Sequence, residues 1–348
     1  MVDRFADTMY YMLANVAHSD SAVNYQGQEV YLKGIITRFR AYQLGCAGSS
    51  FSYFADGHFT VLEGRLTEVS KPCLTREMAN CGVKTADTLH ITSWDSDHCS
   101  AGELTDLLML TVPAKIEYPG YEPHSDVGET CLAIIEAYSK RRLSSNRPAR
   151  IQAITPEYIS SLTQSEALAF RDVLYHPRWI DESYPNNNST VKFFRRGSFN
   201  VLSLGDVESA DISARLRRDK YLSRETDVMI LAHHGADNGF TNKSFLERIE
   251  PRLAICSSDF DNQHDHPRDE VRGLLYEQDI RLMTTKTGDI IVKSIGDHTG
   301  AFRATNLKAN STEISSQYDF EAKKKLLLSY NADTIRQLYT PRPSYRLL

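Results

Sequence analysis

The sequence contains no run of roughly 18 apolar residues, the length a helix needs to cross a bilayer, so no membrane partner is expected. It has no CxxC pair. Its six cysteines, Cys46, Cys73, Cys81, Cys99, Cys131 and Cys256, are scattered, and in a chain this long they read as reduced, mostly buried thiols. An apolar leader core is missing too, because Asp3 and Asp7 fall where one would lie, so a cytoplasmic location is expected. Neither GxxxxGK[ST] nor GxSxG occurs, which disfavours nucleotide triphosphate hydrolysis and serine-hydrolase chemistry. A strong charge of either sign is also lacking. The net charge is -5 over 348 residues, so a polyanion would have to meet a local basic patch. Internal repeats, low-complexity tracts and long Gly/Ser linkers are absent, and the length permits a large core.

What is present is a succession of short apolar strands, several of which end in metal-ligand side chains. Residues 3–18 read as an amphipathic helix in a leading segment 1–28. Stretches 29–42, 49–55 and 58–64, rich in β-branched and aromatic residues and broken by Gly45, Gly48 and Asp56-Gly57, read as antiparallel strands. Residues 85–94 form a strand running into a polar cluster. A helix follows at 100–110 with Leu104, Leu107 and Leu108 inward, and another at 126–142 with Cys131, Ile134, Ile135 and Tyr138 on one stripe. Thr163 and Glu166 have capping-box spacing. Residues 184–189 read as a loop, 190–206 as a hairpin turning at Arg196-Gly197, and 226–232 and 251–258 as strands. Pro267 is placed to open a helix over 267–278, and 280–294 reads as a hairpin. The body is expected to span 29–296, followed by a tail, 297–348, with a helix over 319–339. Strands alternating with helices predict an α/β sandwich.

Four polar clusters stand out: Ser93-Trp94-Asp95-Ser96-Asp97-His98, Gly205-Asp206, Ala232-His233-His234-Gly235 and His264-Asp265-His266-Pro267. Three follow strand ends, after Thr92, Leu204 and Ala232, where open α/β sheets gather ligands. Alternation along an extended turn would aim Asp95 and Asp97 the same way with His98 beside them. Asp206 could bridge two cations, and His233 or His234 would complete the set, the other orienting the loop. Such a site would lower the pKa of a bound water from about 15.7 towards 7. His266, at a helix start, is assigned to contact substrate or leaving group.

In order and flanking pattern these residues resemble the metallo-β-lactamase fold, in its ComEC-like competence-protein branch. The matching stretches are Thr92 to His98, Asn187-Asn188-Ser189, Gly205-Asp206, Ala232 to Gly235 and Asp265-His266-Pro267. Residues 44–64 are similar to the opening hairpin, with Glu63-Gly64 where Asp-Gly is usual. The resemblance covers about 30–296. It implies an αββα four-layer sandwich with a dinuclear centre at one edge, held here by Asp95, Asp97, His98, Asp206, His233 and His234, with Asp97 also catalytic. Two departures follow: Ser93 stands where the first histidine is usual, and Glu63 replaces an aspartate. An oxygen-rich set favours Mn²⁺ or Mg²⁺, with Zn²⁺ an option at one position.

The resemblance further implies a hydrolase, and within this branch a nuclease acting on DNA in bacterial defence or DNA handling, working with a separate ATPase or other defence subunit. Basic clusters at 140–150, 192–197 and 215–220 would meet phosphates. A groove lined by Arg195, Arg196 and Arg217 would mark a polynucleotide substrate, whereas a closed pocket would mark a small one such as a cyclic nucleotide. Ser93 and Asn188 are further candidate substrate contacts. A non-catalytic binding or sensing subunit with a degenerate site is the reading from another class.

Overall fold

Two sheets stack face to face, and helices cover both outer faces. This computed structural model describes residues 34–163 and 172–325, together with the backbone of a small antiparallel pair, Val23–Tyr25 with Gln28–Val30. The helix expected over 3–18, the one expected after Thr163 and the part of the tail beyond 325 lie outside the described residues.

The larger sheet has nine strands, in spatial order Ile314–Glu321, Ala301–Leu307, Ile290–Ser294, Thr37–Ala41, Phe51–Ala55, His58–Leu62, Thr88–His90, Lys115–Pro119 and Arg150–Ile154. The smaller has six: Arg281–Thr284, Leu253–Cys256, Val228–Ile230, Val201–Ser203, Val191–Phe194 and Val173–His176. The strands Val201–Ser203, Val228–Ile230 and Leu253–Cys256 are parallel and buried throughout. That is why they read as continuous apolar runs rather than alternating ones.

Three apolar clusters define the layers. Between the sheets, Phe39, Phe51 and Leu62 meet Phe194, Val228 and Ile255. Outside the smaller sheet, helices Ala210–Leu216, Lys243–Ile249 and Asp269–Glu277 contribute Ile212, Phe245, Leu246 and Leu275. Outside the larger sheet, helices Lys71–Asn80, Ala101–Thr111 and Asp126–Ser144 contribute Leu74, Leu104, Leu108, Ile135 and Tyr138. Four layers enclose three apolar interfaces, the αββα sandwich expected from the motifs.

Three local expectations are corrected. Residues 280–294 do not form a hairpin: Arg281–Thr284 pairs in the smaller sheet and Ile290–Ser294 in the larger. Met283, Ile290 and Val292 nevertheless share the inter-sheet core, which explains the misleading pattern. Gly288 makes the crossover at φ +149, where a Cβ would collide with the Leu307 carbonyl oxygen. The helix after Pro267 spans Asp269–Glu277, with Arg268 at its N-cap. In the tail, Ala301–Leu307 and Ile314–Glu321 are strands of the larger sheet, so residues 319–321 are extended rather than helical and the sheet continues past 296.

Candidate metal centre

Because the three buried strands run parallel, the loops after them open on one edge. Gly205, at φ +56, lets the chain turn sharply after Val201–Ser203, and a Cβ there would meet Ser189 Cβ at 2.9 Å. The turn delivers Asp206 into the space between the sheets, with 3% of its surface exposed. After Val228–Ile230, His233 (φ 44) and His234 (φ 53) adopt left-handed backbone conformations consecutively. Such geometry costs non-glycine residues about 1–3 kcal/mol each and occurs where the surroundings hold it. From the larger sheet, the segment after Thr88–His90 brings in Asp97 and His98. Arg65 fixes that loop, donating from Nη1 to the carbonyls of Ala47 and Ser96 while its guanidinium pairs with Glu103.

Asp97, His98, Asp206 and His234 each offer a donor atom within 4.8 Å of the others. His98 Nε2 lies 2.9 Å from Asp206 Oδ1, and His234 Nε2 lies 3.0 Å from Asp97 Oδ2 and 4.0 Å from Asp206 Oδ2. Each imidazole is oriented from behind. His234 Nδ1 donates to the Ser257 carbonyl at 2.7 Å, and His98 Nδ1 faces Glu63 Oε1 at 3.3 Å and the Thr92 hydroxyl at 3.2 Å. Outer partners of this kind fix the tautomer so that Nε2 presents a lone pair to the centre.

The electrostatics describe a site balanced by protons. Burial opposes a charge on His98, but Asp206, Glu63 and Asp97 hold it well above the ordinary imidazole range. Burial likewise opposes a charge on His234, which Asp206 and Asp97 raise. Burial resists ionisation of Asp206, and His98 and His234 pull its carboxyl down. Two carboxylates and two Nε2 atoms turned inward fit a divalent cation, which would enter by displacing the imidazolium protons.

The expected residues divide. Asp95 is not among the four: its carboxylate accepts from Ser93 Oγ at 2.7 Å, and its carbonyl accepts from the N–H of His98 and of Cys99. That helical turn sends positions 95 and 97 apart. Ser93 is committed to Asp95 and to the Tyr121 hydroxyl at 3.1 Å. His233 faces Glu208 Oε1 at 2.7 Å instead of the cluster. His266 stacks on His234, with ring centroids 6.1 Å apart, and burial followed by repulsion from His234 and His233 pushes its pKa down to about 4, so it stands neutral beside the centre.

The basic and amide candidates are elsewhere. Arg195 is buried against Glu225, with Nε and Nη2 each 2.9 Å from a carboxylate oxygen. Arg196, 3.8 Å from Asp172, sits on the turn at the opposite end of Val201–Ser203 from Asp206. Arg217 lies on the outer helical layer beside Arg218 and Arg248. The three do not line one groove. Asn188 is fully buried and bonds both backbone groups of Asp181, so it pins a loop rather than facing substrate.

Glu63 is the contributor whose role the sequence reading missed, although it had marked the position. Held at φ 72, its carboxylate accepts from the Thr92 N–H at 3.0 Å and hydroxyl at 2.7 Å while facing His98. Glu63→Gln is expected to weaken divalent-metal affinity by about 10–100-fold, as loss of outer partners does. Titration calorimetry would measure this, with circular dichroism checking that the variant keeps its fold. Unaltered affinity would remove Glu63 from the site.

The four-layer sandwich with an acid–imidazole cluster at its strand edge has the architecture expected of a metallo-β-lactamase-like fold, and the ComEC-like resemblance agrees with a sequence likeness. The chain is 25% identical over 227 residues to ComE operon protein 3 of Bacillus subtilis (strain 168), a match covering 64% of this chain and 26% of that protein, so the chain spans only part of its relative's length. No family model matches. Similar solved structures include the metallo-beta-lactamase fold protein YhfI of Bacillus subtilis, with TM-score 0.42 and 11% identity over 74% of this chain and 99% of that one. Another is Igni18, a metallo hydrolase of Ignicoccus hospitalis, with TM-score 0.41 and 12% identity over 73% and 98%. Among the described residues no helix is long and apolar enough to cross a membrane.

Proposed function

We propose that the chain is a metal-dependent hydrolase that cleaves phosphodiester bonds in DNA. The observation carrying this reading is the convergence of Asp97, His98, Asp206 and His234, two donors from the loops of each sheet, with one side open beside Asp97, His233 and His266. Held by these four residues, a divalent cation would supply a water acidified towards neutral pH and would offset charge on the phosphoryl oxygens. The protein's own groups do the rest. Asp206 and His98 are buried and set the geometry, while Asp97, with a third of its side chain exposed, faces the reacting centre. Neutral His266, stacked on His234, would be placed to contact the leaving group.

With Asp95 withdrawn, the donors are two carboxylates and two imidazoles. This mixed set suits Mn²⁺ or Zn²⁺ better than Mg²⁺, which prefers oxygen alone. Incubating the purified protein with single- and double-stranded DNA, RNA and a small phosphodiester, each with Mn²⁺, Mg²⁺ or Zn²⁺, tests the reading. DNA should be cut with Mn²⁺, and Asp97→Ala should reduce cutting to background. Cleavage confined to the small phosphodiester would replace DNA as substrate, and no cleavage under any ion would favour a binding subunit.

A further inference from the structure

Beside the centre, the loop between His176 and Asn188 carries an unusual surface. Trp179, Ile180 and Tyr184 are exposed at 37%, 42% and 63%. The loop is firmly held. His176 Nε2 is 2.6 Å from the Asn187 carbonyl, Asn187 Oδ1 accepts from the N–H of Glu208 and of Ser209, and Asp181 is taken up by Asn187 and by backbone N–H groups of the loop. Its connection to the centre is direct, because Asn186 Nδ2 donates at 2.8 Å to Glu208 Oε1, the same oxygen that faces His233. His233 and His266 border the open side, with ring centroids 5.9 Å apart.

Two arginines with exposed surface lie next to Trp179, one in space and one in sequence. Arg215 lies over Trp179 at 5.6 Å from the ring centroid, and Arg178 precedes it in the chain. Burial and then the neighbouring Arg215 lower the pKa of Arg178, so the two cations repel one another. Among the described residues neither forms an ion pair with a carboxylate. Arg178 Nε donates to the Tyr175 carbonyl at 2.8 Å and Arg215 covers part of Trp179, which leaves the exposed parts of Trp179 and Tyr184 near two cations that no carboxylate neutralises. Nucleobases stack on such rings whatever their sequence, and arginines meet the phosphates that link them. A duplex hides its base faces and would leave Trp179 and Tyr184 uncovered.

We propose that Trp179 and Tyr184, with Arg178 and Arg215, form a stacking platform that grips single-stranded polynucleotide beside the metal centre. The proposal rests on the phosphodiesterase reading and narrows its substrate to an unpaired strand. Nucleotides beyond the scissile phosphate pass from His266 and His233 onto the platform.

The chain has two tryptophans, and Trp94 is buried at 2%, so a change in indole emission on binding reports Trp179. The experiment titrates the full chain and its variants in EDTA, where no cutting occurs, into a fluorescein-labelled oligothymidylate and a labelled duplex of equal length, reading affinity from the label's anisotropy and, for the wild type, quenching of Trp179. The single strand should quench Trp179 and bind more tightly than the duplex. Trp179→Ala with Tyr184→Ala should weaken it by about 10-fold or more, the size of a base–aromatic contact. Arg215→Ala should lower the salt dependence by roughly 0.7 of a unit in slope. Trp179→Phe keeps a ring and should bind within about twofold of the wild type, separating stacking from misfolding. If the double alanine variant binds the oligonucleotide as the wild type does while both cut DNA, the platform is refuted and the nuclease reading stands. Failure of the wild type both to bind any oligonucleotide and to cut DNA overturns the two together.

Discussion

Asp206→Ala is expected to abolish metal-dependent cleavage and to weaken divalent-metal binding by more than about 100-fold, the upper figure for loss of a mere outer partner. Asp206 is buried and reaches both imidazoles, at 2.9 Å from His98 and 4.0 Å from His234. Its removal leaves two rings with centroids 5.4 Å apart and one partly exposed carboxylate, Asp97, to hold a cation. Metal content after dialysis, calorimetric affinity and cleavage should fall together. Wild-type affinity in the variant would show that the cation sits elsewhere.

The second large effect belongs to stability. Glu117 is buried with Lys192 Nζ at 2.5 Å, Lys115 Nζ at 2.5 Å and His90 Nδ1 at 2.9 Å, joining neighbouring strands of the larger sheet to Val191–Phe194 of the smaller. Glu117→Gln strands the buried Lys192 ammonium without a counter-charge, which costs about 3–5 kcal/mol. At about 2–4 °C per kcal/mol for a domain near this size, the melting temperature should drop by roughly 6–20 °C. Combining it with Lys192→Met should restore part of the loss, since the orphaned charge goes with it.

The same cluster sets the direction of acid sensitivity. Burial opposes the charge on Glu117, yet Lys192 and His90 hold its pKa well below the ordinary value. Burial and then Lys192 lower that of His90. Both groups therefore bind fewer protons folded than unfolded at mildly acid pH, so their stabilisation is present near neutrality and is lost as pH falls. Thermal melts below about pH 5, where Glu117 takes up a proton in the unfolded chain before the folded one, should decline less steeply in Glu117→Gln. An unchanged acid slope would assign the sensitivity to other groups.

Much of the centre was legible because its chemistry sits at strand ends: Asp206, His234 and the Asp97-His98 pair each follow an apolar run whose length marks where the sheet stops. Asp95 was misread because an extended turn was assumed, whereas a helical turn rotates alternate positions apart. Arg195 was misread because a basic run looks solvated until its partner is known, and Glu225 lies 30 positions away. The strand Ile314–Glu321 escaped because it is an edge strand with mostly exposed side chains, whose polar pattern resembles that of a surface helix. Glu63 was visible as a departure, but its service to Thr92 and His98 depends on contacts across strands that no local pattern encodes.

The four converging donors come in pairs from opposite halves of the sandwich, Asp97 and His98 beyond the nine-stranded layer, Asp206 and His234 beyond the six-stranded one. An ion gripped by all four acts as a rivet through the joint between those halves, and its binding free energy then also resists their separation. Loading and rigidity would then become one equilibrium, with the metal supply also governing how firmly this edge is held together.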